Sequence, residues 1–201
     1  MASETAARPT YDFLARWFPP SGDLLDLGCG GGGLLAVARE RGLAAVGIDA
    51  DQDNVAYARA RGLDAHQGDV LAPDLLPGRA FDVVAIVHLI EHFDEGRAQA
   101  LVDRSAARLR PGGRLLLVTP NLLDPRVARE TFALDPTHVR GYSAADLSDL
   151  LGRAGLRTVH ASTELLVDVG RRRALLRPLG RLRHGREHDR PNLVVVAEGH
   201  H

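Results

Sequence analysis

The amino-acid sequence predicts an α/β fold of three layers, in which helices cover both faces of a seven-stranded, mostly parallel sheet. Strand-like and helix-like segments alternate up to residue 118, and such alternation indicates right-handed crossovers between parallel strands. Phe81–Val87 is a continuous apolar run, as expected for a parallel strand buried on both faces. The last two predicted strands have no crossover helix between them. We therefore expect a C-terminal hairpin that contains one antiparallel strand.

Each predicted element has a local signal, with glycine or proline after most helices. Strands are expected at residues 24–27, 45–48, 64–67, 81–87 and 114–118, around Val159, and at residues 192–197. Helices are expected at residues 11–18, 34–40, 51–61, 94–110 and 143–151, and residues 1–9 are expected to be disordered. Pro111-Gly112-Gly113 is expected to turn the chain, and residues 122–142 form a long connection.

The bulk composition predicts one domain over residues 1–197, followed by a tag remnant at residues 198–201. The 201 residues are 45% hydrophobic and 25% charged, which is enough apolar material for one full core. The net charge of −1 shows no bias towards nucleic acid. No apolar run reaches the roughly 18 residues of a membrane span, and no signal peptide is visible. With a single cysteine, these features favour a cytoplasmic protein.

A glycine-rich turn organises the chain. A short buried strand ends at Leu27, the next six residues contain five glycines, and a helix pattern follows from Leu34. Glycines let a ligand approach the backbone, and the start of the helix offers free N–H groups. Asp49 ends the next strand 21 positions after Gly28, close to the spacing of about 20 expected for a carboxylate that binds a ribose. The unit therefore predicts an adenosine-containing cofactor.

Two cofactors fit the glycines equally well, because Gly28-x-Gly30-x-x-Gly33 also matches a dinucleotide fingerprint. Asp26 favours a cofactor that carries an ammonium group over a dinucleotide. An acid at the end of the strand repels a pyrophosphate but suits an ammonium group. An NAD-dependent oxidoreductase remains a less favoured alternative, and it would need a proton relay such as Tyr-x-x-x-Lys. The chain contains no lysine.

The ordered set of motifs resembles the class I S-adenosylmethionine (SAM)-dependent methyltransferases, over roughly residues 20–197. The motifs are Asp26-x-Gly28-x-Gly30-x-Gly32, Asp49, Gly68-Asp69-Val70, Phe81-Asp82-Val83-Val84 with Glu91-His92, and Leu109-Arg110-Pro111-Gly112-Gly113. The resemblance implies a Rossmann-like fold with SAM bound by Asp26, Gly28, Cys29, Gly30, Gly32, Asp49, Ala50, Asp69, Val70 and Val87. For Asp69, a loop aspartate that caps its own backbone is the alternative. A SAM-binding module without catalysis also remains open.

The chain looks most like the ubiquinone-biosynthesis O-methyltransferases, while Asp135-Pro136-Thr137-His138-Val139 is similar to methyltransferases of sugar and polysaccharide clusters. These resemblances imply methylation of an oxygen, with a hydroxyl group of a small molecule favoured. A hydroxyl benefits from a general base, and histidine changes its protonation near neutral pH. His88, placed by a strand, and His138, near Asp135, are the two candidate catalytic residues.

No metal site is predicted. His88-x-x-Glu91-His92 matches an inverted zinc-protease motif, but it follows a sheet strand rather than lying in a protease helix. Some ubiquinone methyltransferases that the chain resembles hold a divalent ion here with an acid and a Glu-His pair. His88 replaces that acid, and magnesium prefers oxygen. We expect Glu91 and His92 to form a hydrogen-bonded pair at the start of a helix.

Residues 170–190 carry eight arginines against Glu187 and Asp189. The plain interpretation is a solvated excursion between the two hairpin strands. The functional interpretations are recognition of a phosphate-bearing acceptor, or weak contact with an anionic surface without membrane insertion. The sequence does not predict an oligomeric state.

Overall fold

The computed structural model describes residues 4–72, 76, 78–164 and 192–199. Its strands are β1 (Asp23–Leu27), β2 (Ala44–Asp49), β3 (Asp64–Gln67), β4 (Phe81–Val87), β5 (Leu109–Pro120), β6 (Leu156–Glu164) and β7 (Asn192–Gly199). Its α-helices are α1 (Glu4–Leu14), α2 (Gly33–Glu40), α3 (Gln52–Ala60), α4 (Glu95–Ala106), α5 (Pro125–Val127) and α6 (Ala144–Arg153). The predicted basic segment 170–190 lies outside the described residues.

The seven strands form one sheet in the order β3-β2-β1-β4-β5-β7-β6. All neighbours are parallel except β7, which runs antiparallel to both β5 and β6. The predicted α/β fold with one antiparallel strand in a C-terminal hairpin is therefore confirmed. The carboxyl ends of β1 to β6 share one edge of the sheet, where ligands of doubly wound folds bind.

Two hydrophobic clusters lie on the two faces of the sheet. Helices α1, α2 and α3 cover one face, with Leu14, Leu34 and Val55 among its buried residues. Helices α4 and α6 cover the other, with Leu101 and Leu147 buried. Each helix thus presents one apolar side to a sheet that is buried on both faces. Among the described residues, no helix is long and apolar enough to span a membrane.

The N-terminal helix differs from the sequence prediction, which expected disorder up to Pro9. Helix α1 begins at Glu4 and contains Pro9. The Arg8 guanidinium contacts Asp12 at 3.1 Å and Glu40 of α2 at 2.6 Å, and Leu14 is fully buried. Tertiary packing against α2 therefore outweighs the cost of an internal proline.

Strand β5 also differs from its prediction. The preceding helix α4 ends at Ala106, and the strand starts at Leu109 instead of Arg114. Its pairing with β4 shifts register between Phe81 and Val83, which accommodates the proline and glycines expected to form a turn. At the other end of the chain, β7 continues to Gly199, and Glu198 contacts Arg114 at 2.9 Å. The strand thus includes two residues that the sequence assigns to a tag remnant.

Candidate active site

The glycine-rich turn is attached to the neighbouring strand through its backbone. Both Gly28 and Cys29 donate their N–H groups to the Ile48 carbonyl oxygen, at 2.8 and 3.0 Å. Gly32 precedes α2 in the left-handed region at φ +84°, and a Cβ there would lie 2.6 Å from the Leu63 side chain. Glycine is required at this position for both reasons. The turn therefore brings the backbone and the start of α2 to the ligand-binding edge.

Gly28 also brings the cofactor turn against the segment that follows β4. Its φ is +76°, and a Cβ at this residue would lie 3.1 Å from the Leu89 side chain. Leu89 directly follows His88, and Val87 ends β4. The predicted catalytic and cofactor-binding segments are therefore in contact.

Asp26 is a buried carboxyl group with an unused oxygen. Its Oδ1 is buried and has no hydrogen-bond partner among the described residues. Burial, and secondly the nearby Asp49 charge, raise the pKa of Asp26 to about 7. An unpaired buried carboxylate is costly, and a cationic ligand group beside it removes that cost. This environment fits the methionine ammonium of SAM.

Asp49 lies beside the glycine turn at the end of β2. Its Oδ2 accepts from the Gly30 N–H at 2.7 Å, and its Oδ1 accepts from the Asp51 N–H at 2.9 Å. Asp51, not Asp49, caps α3 by accepting from the Asp53 N–H. Ala50, which directly follows Asp49 in the sequence, is exposed. The predicted cofactor contacts of both residues, including the ribose contact of Asp49, stay predictions.

The loop after β3 carries the residues predicted to frame the adenine. Asp69 Oδ1 accepts from the Leu71 N–H at 2.9 Å, so one oxygen holds the loop in shape. Val70 packs against the core beneath the sheet edge. The backbone-capping interpretation therefore describes one carboxylate oxygen, and the adenine contact stays a prediction.

Cys29 contributes packing rather than reactivity. Its side chain is buried, and a Cβ on Gly47 would lie 2.5 Å from its Sγ. Burial raises the pKa of this thiol well above its usual range. The neutral thiol thus fills the space behind the glycine turn and is not an activated nucleophile.

His88 has an unusual backbone and a buried carboxylate partner. Its φ of +52° is in the left-handed region, which is rare for a residue other than glycine and is common at functional sites. Its Nδ1 lies 3.3 Å from Glu91 Oε1, and the Glu91 side chain is only 1% exposed. Thr119 at the end of β5 donates to Glu91 Oε2 at 3.1 Å. The imidazole itself is 43% exposed and faces the ligand edge with a fixed carboxylate behind it.

His138 is more tightly enclosed. Its side chain is 7% exposed, its Nδ1 lies 3.1 Å from the Phe132 carbonyl oxygen, and its ring stacks on Phe132 with centroids 4.9 Å apart. Asp135 Oδ2 is 3.8 Å from Nε2. These contacts hold the loop that contains His138 in one shape.

The expected pairing of Glu91 with His92 is wrong. Glu91 contacts His88 and Thr119, whereas His92 Nδ1 lies 3.1 Å from the Thr137 carbonyl oxygen. Glu91 and His92 lie in a 3₁₀ turn, Ile90–His92, and α4 begins later, after its N-cap Asp94. Sequence reasoning missed Thr119 and Thr137, since neither has a local motif that indicates its partner.

Glu91, His92 and His138 nevertheless lie close together. One possible ligand atom from each falls within 4.8 Å of the others. Two imidazoles and one carboxylate suit a transition metal better than magnesium. The resemblance that implied a magnesium-type site therefore fits these residues poorly, and the absence of a metal stays a prediction.

A cavity of about 410 Å³ lies further along the same edge, beside the ends of β5 and β6 and the start of β7. Its walls come from the loop after β5, the start of α6 and the hairpin strands, and include Asn121, Leu122, Ser143, Ala161 and Leu193. Its volume is within the range of small-molecule sites.

Comparison with known proteins identifies the family. A family model described as a methyltransferase domain matches residues 2–161. A relative from Mycolicibacterium smegmatis, named "Probable S-adenosylmethionine-dependent methyltransferase", is 39% identical over 138 residues, which cover 66% of this chain and 51% of the relative. The chain thus spans about half the length of that relative.

Two further relatives have different acceptors in their names. A ubiquinone biosynthesis O-methyltransferase from Paramagnetospirillum magneticum is 40% identical over 105 residues, which cover 49% of this chain and 40% of the relative. Ribosomal RNA small subunit methyltransferase C from Pseudomonas aeruginosa is 38% identical over 115 residues, which cover 52% of this chain and 34% of the relative. Each alignment covers two fifths or less of the relative's own length.

The fold has many solved counterparts. A SAM-dependent methyltransferase from Archaeoglobus fulgidus superposes with a TM-score of 0.80 and 19% identity, over 98% of this chain and 94% of that one. This likeness supports the same architecture.

Proposed function

The chain belongs to the class I SAM-dependent methyltransferases, and on that premise we propose that it methylates a hydroxyl oxygen of a small-molecule acceptor. The cofactor is SAM, which decides between the two cofactors that the glycine motif leaves open. The acceptor, the cytoplasmic location and the single-domain organisation are parts of the proposal.

One observation carries the choice of a hydroxyl acceptor: the His88–Glu91 contact at the carboxyl end of β4. When bound, SAM would supply an electrophilic methyl group, with S-adenosylhomocysteine as the leaving group. His88 would accept the hydroxyl proton on its Nε2 during methyl transfer, because an alcohol is a poor nucleophile while it keeps its proton. A carboxylate or amine acceptor would need such a base less.

Glu91 acts through His88. Its carboxylate is buried and fixed by Thr119, so it can hold the imidazole in the tautomer with Nδ1 protonated and Nε2 free. The same negative charge stabilises the imidazolium that forms during transfer. Glu91 is therefore proposed as a positioning residue.

His138 remains the alternative base, and its enclosed ring supports a positioning role instead. The loop that follows it is attached to the same turn, since Val139 and Arg140 both donate their N–H groups to the Glu91 carbonyl oxygen, at 2.8 and 3.1 Å. His138 thereby helps to hold the acceptor side of the site against Glu91.

The test replaces His88 by alanine. We expect His88→Ala to lower kcat by about 10²–10⁴-fold with unchanged SAM affinity, measured with labelled SAM on an acceptor found in a panel of hydroxylated metabolites. His66→Ala is the matched control, since His66 forms a comparable pair with Asp64 at 2.8 Å on β3. A His88 variant with the wild-type kcat would refute the base assignment, and loss of kcat in His138→Ala alone would transfer it to His138.

A further inference from the structure

The cavity of about 410 Å³ is adjacent to the proposed reaction centre through two connections. Thr119, which fixes Glu91, is followed two residues later by Asn121, a residue of the cavity wall. Tyr142, also in the wall, donates its hydroxyl group to the Phe93 carbonyl oxygen at 2.8 Å. A ligand in this cavity would therefore lie on the acceptor side of His88.

Two polar side chains of the cavity wall, those of Ser143 and Asp146, can accept hydrogen bonds from a ligand. Ser143 Oγ donates its proton to Asp146 Oδ2 at 2.6 Å and accepts from the Asp146 N–H at 3.2 Å, so one of its two lone pairs remains available. Asp146 also lines the cavity, and hydrogen bonds from Ser143 hold the pKa of Asp146 below its usual range. Asp146 therefore keeps its negative charge. Ser143 and Asp146 therefore offer a ligand hydrogen-bond acceptors, one of which is a charged carboxylate.

Cationic side chains are absent from the part of the wall that the structure describes. The remaining described wall residues are apolar or neutral, including Leu122, Ala144, Ala161 and Leu193. Arg140, which is not a wall residue, contacts Glu95 and lies 3.7 Å from Asp146. Within the described part of the wall, an anionic ligand group would lose its hydration without gaining a counter-charge.

We propose that this cavity binds the part of the acceptor next to the reacting hydroxyl, and that it selects an uncharged, hydroxyl-bearing group over a phosphorylated or carboxylated one. The inference rests on the proposed function and deepens it by naming the acceptor class. The apolar wall packs the carbon skeleton, and the wall oxygens accept from hydroxyl groups. A phosphate on the same acceptor would lie outside this cavity.

The first test measures the charge preference of the cavity directly and needs no acceptor. Ala161→Cys places a thiol in the wall, and it is labelled with methanethiosulfonate reagents carrying a hydroxyethyl, a sulfonatoethyl or a trimethylammonioethyl group. The control Ala44→Cys places a thiol at an exposed position on the opposite edge of the sheet. The unsubstituted protein gives the background from buried Cys29. Labelling of each variant unfolded in urea gives the reference rates.

For each cysteine, the labelling rate with the neutral hydroxyethyl reagent is divided by the rate with the anionic sulfonatoethyl reagent, and both rates are first normalised to those of the unfolded protein. This ratio should be about tenfold higher at residue 161 than at residue 44. Equal ratios, or faster anionic labelling at residue 161, would overturn the proposal and indicate a cation from residues 165–191, which lie outside the described residues. A cationic preference above tenfold would overturn it in favour of an amine-bearing acceptor.

The second test fills the cavity. Ala161→Phe should abolish methyl transfer across a panel of glycosides, phenols and their phosphate esters, and should keep the rise in melting temperature caused by SAM. Ala44→Phe should retain both. Methyl transfer that survives Ala161→Phe, or a lost SAM response, would overturn the cavity assignment. If the unsubstituted protein methylates nothing in the panel, the proposed function fails, whereas the labelling ratios still decide the charge preference.

Discussion

The carboxyl edge of the sheet has two halves that are built in different ways. The cofactor half comprises the turn 28–32 and the ends of β2 and β3, and most of its contacts involve backbone N–H groups, such as those of Gly28, Cys29 and Gly30. The half that we propose binds the acceptor, called the acceptor half below, comprises residues 88–92, 119–123 and 132–146. Several of its contacts join side chains that are far apart in sequence: Glu91 and Thr119 are 28 positions apart, and His92 and Thr137, whose Nδ1 and Oγ1 lie 3.0 Å apart, are 45 positions apart.

This difference teaches where the two functions can change. Backbone contacts depend on glycine positions and strand ends, and they tolerate little variation in the cofactor. Side-chain contacts change with single substitutions, so the acceptor can differ among relatives that share a cofactor domain. The two halves should therefore respond separately to mutation.

Glu91→Gln should have the largest effect, and it should affect the acceptor half alone. An amide of the same shape cannot stabilise the imidazolium of His88, so kcat should fall by about 10²–10⁴-fold with unchanged SAM affinity. Glu95→Gln, at an exposed carboxylate on α4, is the control. A double variant with His88→Ala should be no slower than His88→Ala, because the two residues act as a unit. Additive losses would contradict that unit.

Asp49→Ala should affect the cofactor half alone. A carboxylate that accepts from two ribose hydroxyls contributes about 1.5–3 kcal/mol, so SAM affinity measured by calorimetry should fall about 10- to 150-fold. The kcat at saturating SAM should not change. Asp53→Ala, on the exposed first turn of α3, should keep full affinity. Unchanged affinity in Asp49→Ala would limit Asp49 to its contacts with Gly30 and Asp51.

Asp26 should make SAM binding depend on pH. Its pKa is raised to about 7 from 3.8, so the free protein carries a proton there below pH 7, and that proton must leave when the SAM ammonium binds. SAM affinity should therefore rise about fivefold from pH 6 to pH 7, a range in which the SAM ammonium keeps its own proton. The stability of the free protein should change in the opposite direction. The unfolded chain loses this proton at lower pH than the folded protein does, so the free energy of unfolding should fall as the pH rises from about 4 to about 7.

Asp26→Asn should remove most of that pH dependence. Methylthioadenosine, which lacks the ammonium group, should show none with either protein, and calorimetry in buffers of different ionisation enthalpy would count the released protons. An equal slope in both proteins would assign the proton to another group.

Removal of divalent metal ions by a chelator should have no effect on methyl transfer. EDTA should leave kcat unchanged because the proposed reaction at His88 needs no ion. A loss of activity restored by zinc or another divalent ion would contradict the predicted absence of a metal, and it would indicate Glu91, His92 and His138 as ligands.

The cofactor half was predictable from sequence because its geometry is local. The glycine turn, Asp26 and Asp49 lie within one strand–helix–strand unit, whose backbone course follows from residue types. Gly32 at φ +84° illustrates this, since its position alone required glycine. The antiparallel strand of the C-terminal hairpin was equally accessible, because no crossover helix separates the last two predicted strands.

The acceptor half was predicted less well. The spacing of His88 and Glu91 was visible, yet the sequence favoured the adjacent Glu91–His92 pair. His88 has φ +52° and precedes the 3₁₀ turn Ile90–His92, so no helical periodicity predicted its contact with Glu91. Thr119 and Thr137 reach their partners only after β5 and the following loop have packed. No periodicity encodes such contacts, and the enclosed position of His138 depends on Phe132 in the same way.

The position of β7 between β5 and β6 has a consequence for how the protein is made. Strand β6 is synthesised before β7 but reaches the sheet only through it, so β6 has no docking partner in the sheet until the last strand leaves the ribosome. The units β1 to β4 are complete much earlier. Because Ala161 of β6 and Leu193 of β7 both line the acceptor cavity, a nascent chain can assemble its cofactor turn before the cavity exists.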